Sequence, residues 1–167
     1  MRVDKAMSNE ISIRQADSGD IAALVSFNQA MASETESKEL DANVLTGGVL
    51  NLLRNKHHGF YLVAFDTGAG DGDAVGSLMV TYEWSDWRNG LFWWIQSVYI
   101  KPEFRRQGVY RRLYEFVKEL ASADKSVCGF RLYVEKENRI AQRTYEKLGM
   151  SESHYVMYEE LLGKRSA

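Results

Sequence analysis

The sequence predicts a mixed α/β domain in which helices cover both faces of one sheet. With 167 residues, 45% of them hydrophobic, the chain has the length of one domain and enough apolar residues for a sizeable core. The apolar spacing alternates between strand and helix periods in the order β-α-α-β-β-β-α-β-α-β. One segment, Leu91–Ile100, is apolar almost without interruption, which is typical of a strand buried on both faces.

The first third of the chain predicts one strand and two helices. Ile11–Arg14 alternates apolar and polar residues, and Asp17 or Ser18 then caps a helix whose apolar positions follow the helical period. Ser33–Asp41 has no apolar face and is predicted as a loop. A second helix follows over Ala42–Lys56.

Three strands come next. Gly59–Asp66 and Ala74–Glu83 are apolar and rich in β-formers, and the Gly/Asp-rich segment Thr67–Asp73 between them predicts a hairpin connection. A second connection, Trp84–Gly90, leads into the buried strand Leu91–Ile100.

The last third returns to alternating helix and strand. Gly108–Ala123 carries one apolar stripe at helical spacing, and Phe130–Glu135 alternates as a half-exposed strand does. Asn138 is a good N-cap for a further helix that Gly149 ends. Ser151–Leu162 predicts one or two more strands. We therefore expect a single domain over residues 11–162, with tails at 1–10 and 163–167.

Charge and composition exclude several classes of function. The net charge is −2 with both signs well represented, so we expect neither a nucleic-acid partner nor a charged membrane surface. No window approaches the ~20 apolar residues that span a bilayer, and the first residues lack the apolar core of a secretory signal. The sequence predicts a cytoplasmic protein.

Cysteine and histidine usage gives no sign of a metal site. The single cysteine, Cys128, excludes an internal disulfide framework and a Cys-based zinc site. His57, His58 and His154 lack partners at metal-ligand spacing. We expect no bound metal.

The junction between a buried strand and a helix, Ser97–Leu113, predicts an anion site. A helix that begins near Gly108 points its first backbone N–H groups, and the positive end of its dipole, out of its N-terminus. Glycine lets an anion approach the backbone, and nearby charge comes from Arg105, Arg106, Arg111 and Arg112. The segment lacks the Lys-Ser/Thr end of a nucleotide P-loop. The alternative is that these arginines form only a solvated helix face.

A second junction favours a ligand over that alternative. Asn138 and Tyr145 are seven residues apart, which is two helical turns, so both side chains lie on one face of the predicted helix. A lone tyrosine on a helix is more often part of the core. Two such junctions in succession indicate one shared ligand.

These two segments resemble the motifs of the GNAT superfamily of acetyl-CoA-dependent N-acetyltransferases. Arg105–Tyr110 is similar to the family pattern Gln/Arg-x-x-Gly-x-Gly/Ala, and the second motif corresponds to Asn138–Met150. The order of elements agrees over Ile11–Leu162. One departure is Tyr110, where the family usually has glycine or alanine.

The resemblance implies that acetyl-CoA is the acyl donor. In the family, the pantetheine arm pairs with strand backbone, main-chain N–H groups hold the pyrophosphate, and an asparagine contacts the arm. The matching donor-binding residues here are Val98, Ile100, Arg105, Arg106, Gln107, Gly108, Val109, Tyr110, Arg111 and Asn138. Tyr145 would be the general acid that protonates the leaving thiolate.

The resemblance identifies the general base for the acceptor amine less directly. Many family members place a glutamate where this chain has Gln96, and an amide cannot accept a proton from the acceptor ammonium. Glu83, at the end of the preceding strand, is the nearest carboxylate in sequence that could line the same cleft. The alternatives are a Glu83 that is merely solvated and a proton path through ordered water.

Aromatic and acidic residues suggest a cationic acceptor. Tyr82–Trp87 is an aromatic hairpin segment, and acids cluster after the first helix; the candidate substrate-binding residues are Glu34, Glu36, Trp84 and Trp87. Between Thr81 and Tyr158 the chain is also similar to the spermidine/spermine N-acetyltransferase branch. That similarity implies a small polyamine or lysine-like amine as acceptor, and a homodimer. Alternatively, the tryptophans are core or dimer contacts.

Two other functions stay open at this point. One is transfer to a protein or peptide amine, which needs an open and less acidic cleft. The other is a non-catalytic acyl-CoA sensor, suggested by Gln96 at the position of the usual carboxylate.

Overall fold

Five strands form one sheet in chain order in the computed structural model, which describes residues 10–68 and 72–163. The predicted tails, 1–10 and 163–167, fall outside these ranges except for Glu10 and Gly163. The chain divides into two units, Met1–Tyr133 and Val134–Ala167, which are described in turn.

The sheet of the first unit is mixed, as predicted. Neighbouring strands are antiparallel from the first to the fourth, and the fifth is parallel to the fourth. The strands are β1 (Ile11–Gln15), β2 (Gly59–Asp66), β3 (Asp73–Ser85), β4 (Gly90–Ile100) and β5 (Val127–Arg131).

Helices cover both faces of this sheet. They are α1 (Ile21–Glu36), α2 (Ala42–Arg54) and α3 (Val109–Ser122), with a short 3-10 turn at Ser18–Asp20 capped by Asp17. Residues of α1 and α2 form a core with Tyr61 and Val63 of β2. Leu62 and Ala64 of the same strand are also fully buried and point to the opposite face, because successive strand residues alternate. That second face packs against α3, which contacts β1 to β4.

The end of α1 differs from the prediction. The loop predicted over Ser33–Asp41 begins only after Glu36, where Ser37 takes a left-handed conformation (φ 50°) and its N–H bonds to the carbonyl of Ala32. The last turn lacks an apolar face but keeps its backbone hydrogen bonds, and the contacts of Glu34 described below hold it against the sheet. Glu34 therefore lies on a helix and not in a loop.

The fifth strand is also shifted from its predicted position. Phe130–Glu135 was the segment with the best alternation, whereas β5 covers Val127–Arg131. The bounds of β5 follow from its parallel pairing with β4. This pairing involves residues Leu91 to Trp94 of β4. Pairing partners, and not the chain's own alternation, decide where a strand ends.

Residues 134–163, the described part of the second unit, contain one helix, α4 (Arg139–Lys147). The side chain of Asn138 accepts a hydrogen bond from the N–H of Ala141 (3.1 Å), and Gly149 follows the helix with a positive φ of 96°. Both predicted ends of this helix are confirmed. The strands predicted over Ser151–Leu162 are wrong: residues 151–163 contain no strand, and Tyr155–Tyr158 is exposed. A segment with strand-forming residues becomes a strand only where another strand pairs with it.

Within the described ranges, every helix is too short or too polar to cross a membrane.

Candidate functional site

The strands β4 and β5 are paired only along the first half of β4. Their pairing ends at Trp94 and Arg131, where β5 ends, but β4 continues to Ile100 with β3 on its other side. Along this second half, the backbone of β4 faces a side that no strand of the described chain occupies. Such an edge can pair with an extended ligand arm through main-chain hydrogen bonds. Val98 and Ile100, the two residues that the resemblance assigns to the pantetheine arm, lie in this half of β4.

A bulge in β4 lies at the same place. Gln96 is opposite Met79, whereas Tyr99 is opposite Ser77, so β4 contains one extra residue, and Ser97 has a φ of 47°. A bulge of this kind redirects the strand and its side chains and is frequent beside active sites. A non-glycine residue with positive φ costs energy, so its surroundings must hold it in place.

A buried polar network supports that bulge. The amide of Asn28 on α1 donates to the carbonyl of Leu24 (2.9 Å) and to the hydroxyl of Tyr61 (3.3 Å). Burial raises the pKa of Tyr61, and hydrogen bonds with the side chains of Asn28 and Ser97 lower it in part. Sequence reasoning missed this network because its members, Asn28, Tyr61 and Ser97, are far apart in the chain.

The turn before α3 has the conformation that the anion site requires. Arg106 (φ 62°) and Gly108 (φ 79°) are both left-handed, with Gln107 between them, and α3 begins at Val109. A Cβ placed on Gly108 would meet nothing within 4 Å, so the space above this residue is open. Alternating left-handed residues turn successive N–H groups toward one point, and the helix N-terminus adds its dipole. The turn Arg105–Gly108, called the anion turn below, therefore fits a phosphate group.

The side chain of Arg105 links this turn to α1. Its Nε donates to the carbonyl of Ile100 (2.8 Å), and its Nη2 pairs with Glu34 (2.7 Å). The hydroxyl of Tyr99 donates to the other oxygen of Glu34 (3.2 Å), and the Tyr99 ring stacks on Phe27. Burial, and then the charge of Glu34, raise the pKa of Tyr99. Glu34, which was predicted to bind the acceptor amine, therefore forms an ion pair with Arg105, which was predicted to bind acetyl-CoA.

Other polar side chains of this segment also have partners within the protein, and that of Arg112 donates to the carbonyl of Ile11 on β1 (2.6 Å). Arg111 pairs with Glu115 one helical turn further on (2.8 Å), and Gln107 donates to the carbonyl of Glu103 (2.7 Å). Tyr110, the departure from the family pattern, stacks its ring parallel to that of Tyr114. The larger residue is accommodated because its ring follows the helix.

A second group of polar side chains lies where β4 and β5 separate. Glu83 on β3 accepts a hydrogen bond from Arg131 on β5 (2.6 Å) and another from the indole N–H of Trp94. The guanidinium of Arg131 lies 3.7 Å above the centre of the Phe92 ring, and Tyr133 lies against Trp94. We call Glu83, Trp94, Arg131 and Phe92 the Glu83 cluster. Both oxygens of Glu83 are hydrogen-bonded in it.

Gln96 lies on the same face of β4, two residues beyond Trp94. Its side-chain amide donates to the hydroxyl of Thr81 on β3 (2.6 Å). This bond fixes the orientation of the amide and leaves its carbonyl oxygen as an acceptor. Gln96 can therefore orient a polar group, although it cannot serve as a base.

The remaining predicted acceptor residues are not gathered into one pocket. Trp84 follows Glu83 in β3 and so points to the opposite face; it is 59% exposed, and Trp87 in the hairpin turn is 86% exposed. Glu36 pairs with Lys38 on the surface. Glu34 contacts Tyr99, and Glu83 contacts Trp94. Tyr99 and Trp94 are five residues apart on β4, roughly 16 Å at the usual rise of a strand, so the two carboxylates lie at separate places along β4.

The second unit carries the other two predicted site residues. The side chain of Asn138 caps α4, and Tyr145 follows two turns later on that helix. Burial raises the pKa of the Tyr145 hydroxyl above its ordinary value. The phenol therefore stays protonated throughout the neutral range.

Comparison with known proteins identifies the family. A sequence model of the acetyltransferase (GNAT) family matches residues 22–150, which is most of the chain. The chain belongs to the GNAT family of acetyltransferases.

Individual relatives agree with this membership. This GNAT chain is 46% identical to a possible acetyltransferase from Clostridium difficile 630, with a TM-score of 0.83 over 92% of this chain and 99% of the other. It is 36% identical over 83 residues to thialysine N-epsilon-acetyltransferase from Sus scrofa. That match covers 47% of this chain and 48% of the pig protein, so the chain matches about half the length of that relative.

A more distant structure shares the fold alone. A predicted acetyltransferase from Clostridium acetobutylicum, solved with acetyl-CoA, is 19% identical, with a TM-score of 0.72 over 90% of this chain and 96% of the other. GNAT acetyltransferases use acetyl-CoA as acyl donor. In this chain, the unpaired edge of β4 and the open anion turn fit the two ends of such a donor.

Two parts of this arrangement were not predicted from the sequence. Arg131 was treated only as the polar position of a half-exposed strand, and Trp94 only as core. The one available signal was the charge of Arg131 in a strand that directly precedes a motif. The partners of both residues lie on other strands, so their roles depend on sheet register.

Proposed function

We propose that this protein transfers the acetyl group of acetyl-CoA to the nitrogen of a small primary amine, either a polyamine or a lysine-like molecule. The observation that carries the proposal is the course of β4, which loses its β5 partner after Trp94 and leads to the left-handed turn before α3. A strand edge that no other strand covers, and that ends at an anion turn, suits a pantetheine arm followed by a pyrophosphate.

The donor would be held mainly by backbone. In this proposal the main chain at Val98 and Ile100 pairs with the pantetheine arm, and N–H groups from Arg106 to Arg111 bind the pyrophosphate. Asn138 contacts the arm. Because these contacts are made by the main chain, most side chains around the anion turn remain in the pairs described above.

The transfer is a direct attack on the thioester. The neutral amine nitrogen forms a bond to the carbonyl carbon, the carbon–sulfur bond breaks, and the sulfur leaves as a thiolate. Tyr145 gives its proton to that thiolate and regains one as the new amide nitrogen loses its own. Overall, an ammonium and acetyl-CoA give an amide, free CoA thiol and one proton. Burial keeps the Tyr145 phenol protonated at neutral pH, which is the form that this role requires, although the raised pKa also makes the phenol a weaker acid than an exposed tyrosine.

The acceptor ammonium must first lose a proton. Glu83 is the sequence-based candidate for the base, but Arg131 and Trp94 already donate to its two oxygens. These contacts favour the alternative in which water removes the proton. A pH–rate profile of Glu83→Gln decides between them. If the fall in rate at low pH disappears in this variant, Glu83 removes the proton; if that fall is unaltered, water removes it.

The name of the pig relative supports an amine acceptor. That protein is named for acetylation of thialysine at its ε nitrogen, and its match with this chain covers 83 residues. We therefore include lysine-like amines beside polyamines. The homodimer implied by the resemblance belongs to the same proposal, and a single monomeric species in sedimentation velocity would contradict it.

Mass spectrometry of a pooled amine reaction tests the function. The protein is incubated with acetyl-CoA and polyamines, amino acids, aminoglycosides and short peptides. We expect an N-acetylated small amine, and a strongly reduced rate with Tyr145→Phe at unchanged acetyl-CoA affinity. Binding of acetyl-CoA without any acetylated product would support the sensor alternative, and preferential acetylation of the peptides would support a protein acceptor.

A further inference from the structure

Arg131 occupies the last paired position of β5, directly beside the place where the two strands separate. It pairs with Trp94 in the sheet register, and its side chain reaches Glu83 on β3 across the same face. The side chains of Arg131 and Glu83 are 34% and 38% exposed, so both are accessible to a small solute. The ion pair is therefore part of a surface and not of the core.

The orientation of Arg131 is fixed by an aromatic ring. Phe92 lies over Gly129, where an added Cβ would come within 2.7 Å of the ring. The ring thereby presents its face to Arg131, whose guanidinium stacks on it at 3.7 Å. A stacked guanidinium directs its remaining N–H groups outward along its plane, which is the arrangement that binds a carboxylate.

The charges around this ring disfavour a polycation. Arg131 lies on the Phe92 ring, Arg88 from the hairpin turn also lies over it at 5.2 Å, and Glu83 is the carboxylate that pairs with Arg131. Two cations therefore accompany one anion. A polyamine would meet net positive charge here, whereas a molecule carrying both a carboxylate and an ammonium would find a partner for each.

We propose that Arg131 binds the carboxylate of the acceptor, which makes the acceptor an amino acid with a side-chain amine and not a polyamine. Glu83 binds its α-ammonium. This inference rests on the acetyl transfer proposed above and selects between its two acceptor classes. Gln96 is two residues from Trp94, the register partner of Arg131, roughly 7 Å along the strand, and four residues from Phe92, on which the guanidinium stacks, roughly 13 Å. A side chain of lysine length spans the first of these separations, so the carboxylate would meet the guanidinium on the side nearer Trp94.

The first test compares three acceptors with the unmodified enzyme. Lysine, lysinamide and cadaverine have the same terminal amine, but only lysine has a carboxylate. We expect kcat/KM for lysine to exceed that for the other two by about tenfold to a hundredfold, the range for a lost charge-assisted contact. Equal values, or a preference for cadaverine or spermidine, would overturn the inference and leave the proposed acetyl transfer intact.

Variants at Arg131 locate the effect. In Arg131→Gln, the ratio of lysine to cadaverine should fall toward one through loss of lysine turnover, whereas cadaverine turnover is kept or raised because Glu83 then lacks its cationic partner. Arg131→Lys should recover part of the ratio. Arg54→Gln, the same charge change on the exposed end of α2, should leave the ratio unaltered. A merely structural role would reduce both substrates equally, and that result would refute the proposal.

Binding measurements separate this inference from the proposed function. If no amine is acetylated, the proposed function fails, and calorimetry with lysine and lysinamide in the presence of CoA then tests Arg131 directly. Tighter binding of lysine, lost in Arg131→Gln, supports the carboxylate site; equal binding of the two overturns it. If Arg131→Gln does not fold, the comparison of acceptors with the unmodified enzyme decides.

Discussion

Replacing Gly108 with alanine separates the stability of the anion turn from its affinity for the donor. Gly108 has a φ of 79°, and an added Cβ would meet nothing within 4 Å, so the substitution introduces strain without a clash. A left-handed L-residue costs about 1–2 kcal/mol, of which the less flexible unfolded chain offsets about 0.4–1 kcal/mol. We expect a net loss of about 1 kcal/mol, or about 2–4 °C in Tm for a chain of this size.

We expect Gly108→Ala to cost more binding free energy for acetyl-CoA than it costs free energy of unfolding. The new methyl group occupies the open space above the turn, where the resemblance places the pyrophosphate, and so displaces it from the N–H groups. Loss of one charge-assisted contact raises Kd about tenfold or more. Calorimetry measures the affinity, and thermal unfolding measures the stability of the same preparation.

Gly149→Ala is the matched control for Gly108→Ala. Gly149 also has a positive φ, 96°, and open space around a Cβ, but it follows α4 and belongs to no predicted phosphate contact. It should show a similar loss of stability with unchanged acetyl-CoA affinity. Unchanged affinity in Gly108→Ala would refute the assignment of the pyrophosphate to this turn, and unchanged stability would refute the conformational argument.

Three further predictions concern stability. Gly48→Ala, in the interior of α2 with nothing within 4 Å of the new Cβ, should raise the free energy of unfolding in urea by about 0.5–1 kcal/mol; a decrease would contradict the helical environment. Burial raises the pKa of Tyr114 above 10.0, so the folded state keeps a proton that the unfolded chain releases. Unfolding free energy measured against pH should therefore fall as the pH rises above about 10, and less steeply in Tyr114→Phe; identical slopes would exclude this tyrosine as a cause. Glu34→Gln removes the charge that pairs with Arg105, so amide hydrogen exchange in the last turn of α1 should quicken several-fold, whereas Glu36→Gln, a surface control, should not change it.

Elements with their own end signals were predicted closely. The helix α4 begins after Asn138 and is followed by Gly149 because the cap and the left-handed glycine act on the adjacent backbone. The helix α2 also begins at its predicted residue, Ala42, where Asp41 accepts from the N–H groups of the first turn, although the sequence analysis placed Asp41 only in the preceding loop. Such interactions depend on neighbours in the chain, so a sequence contains all of the information that they require.

Strand ends were predicted less well. The predicted strand at Phe130–Glu135 proved to be β5 at Val127–Arg131, and the segment Ser151–Leu162, predicted to contain one or two strands, contains none. In each case the deciding factor is the presence of a pairing partner. That partner is remote in sequence, and alternation by itself does not identify it.

The candidate site shows the same division. The motif around Gly108 predicted a phosphate contact. The backbone conformation of this turn depends on residues that are neighbours in the chain, so the sequence alone could indicate it. Glu34 and Glu83 were both read as free acids, but each proved to be paired with an arginine from another segment, Arg105 and Arg131. A charge pattern gives the number of ionic groups, and only their placement shows which of them neutralise one another.

The sequence by itself therefore determined the fold class, the family motifs and the local geometry of caps and turns, since these rest on interactions between near neighbours. The tertiary structure decided the separation of β4 from β5, the bulge at Ser97 and the pairing of Glu83 with Arg131. These features arise from strand register, which brings distant residues together on one face. Register depends on the packing of the whole sheet, and no single segment specifies it.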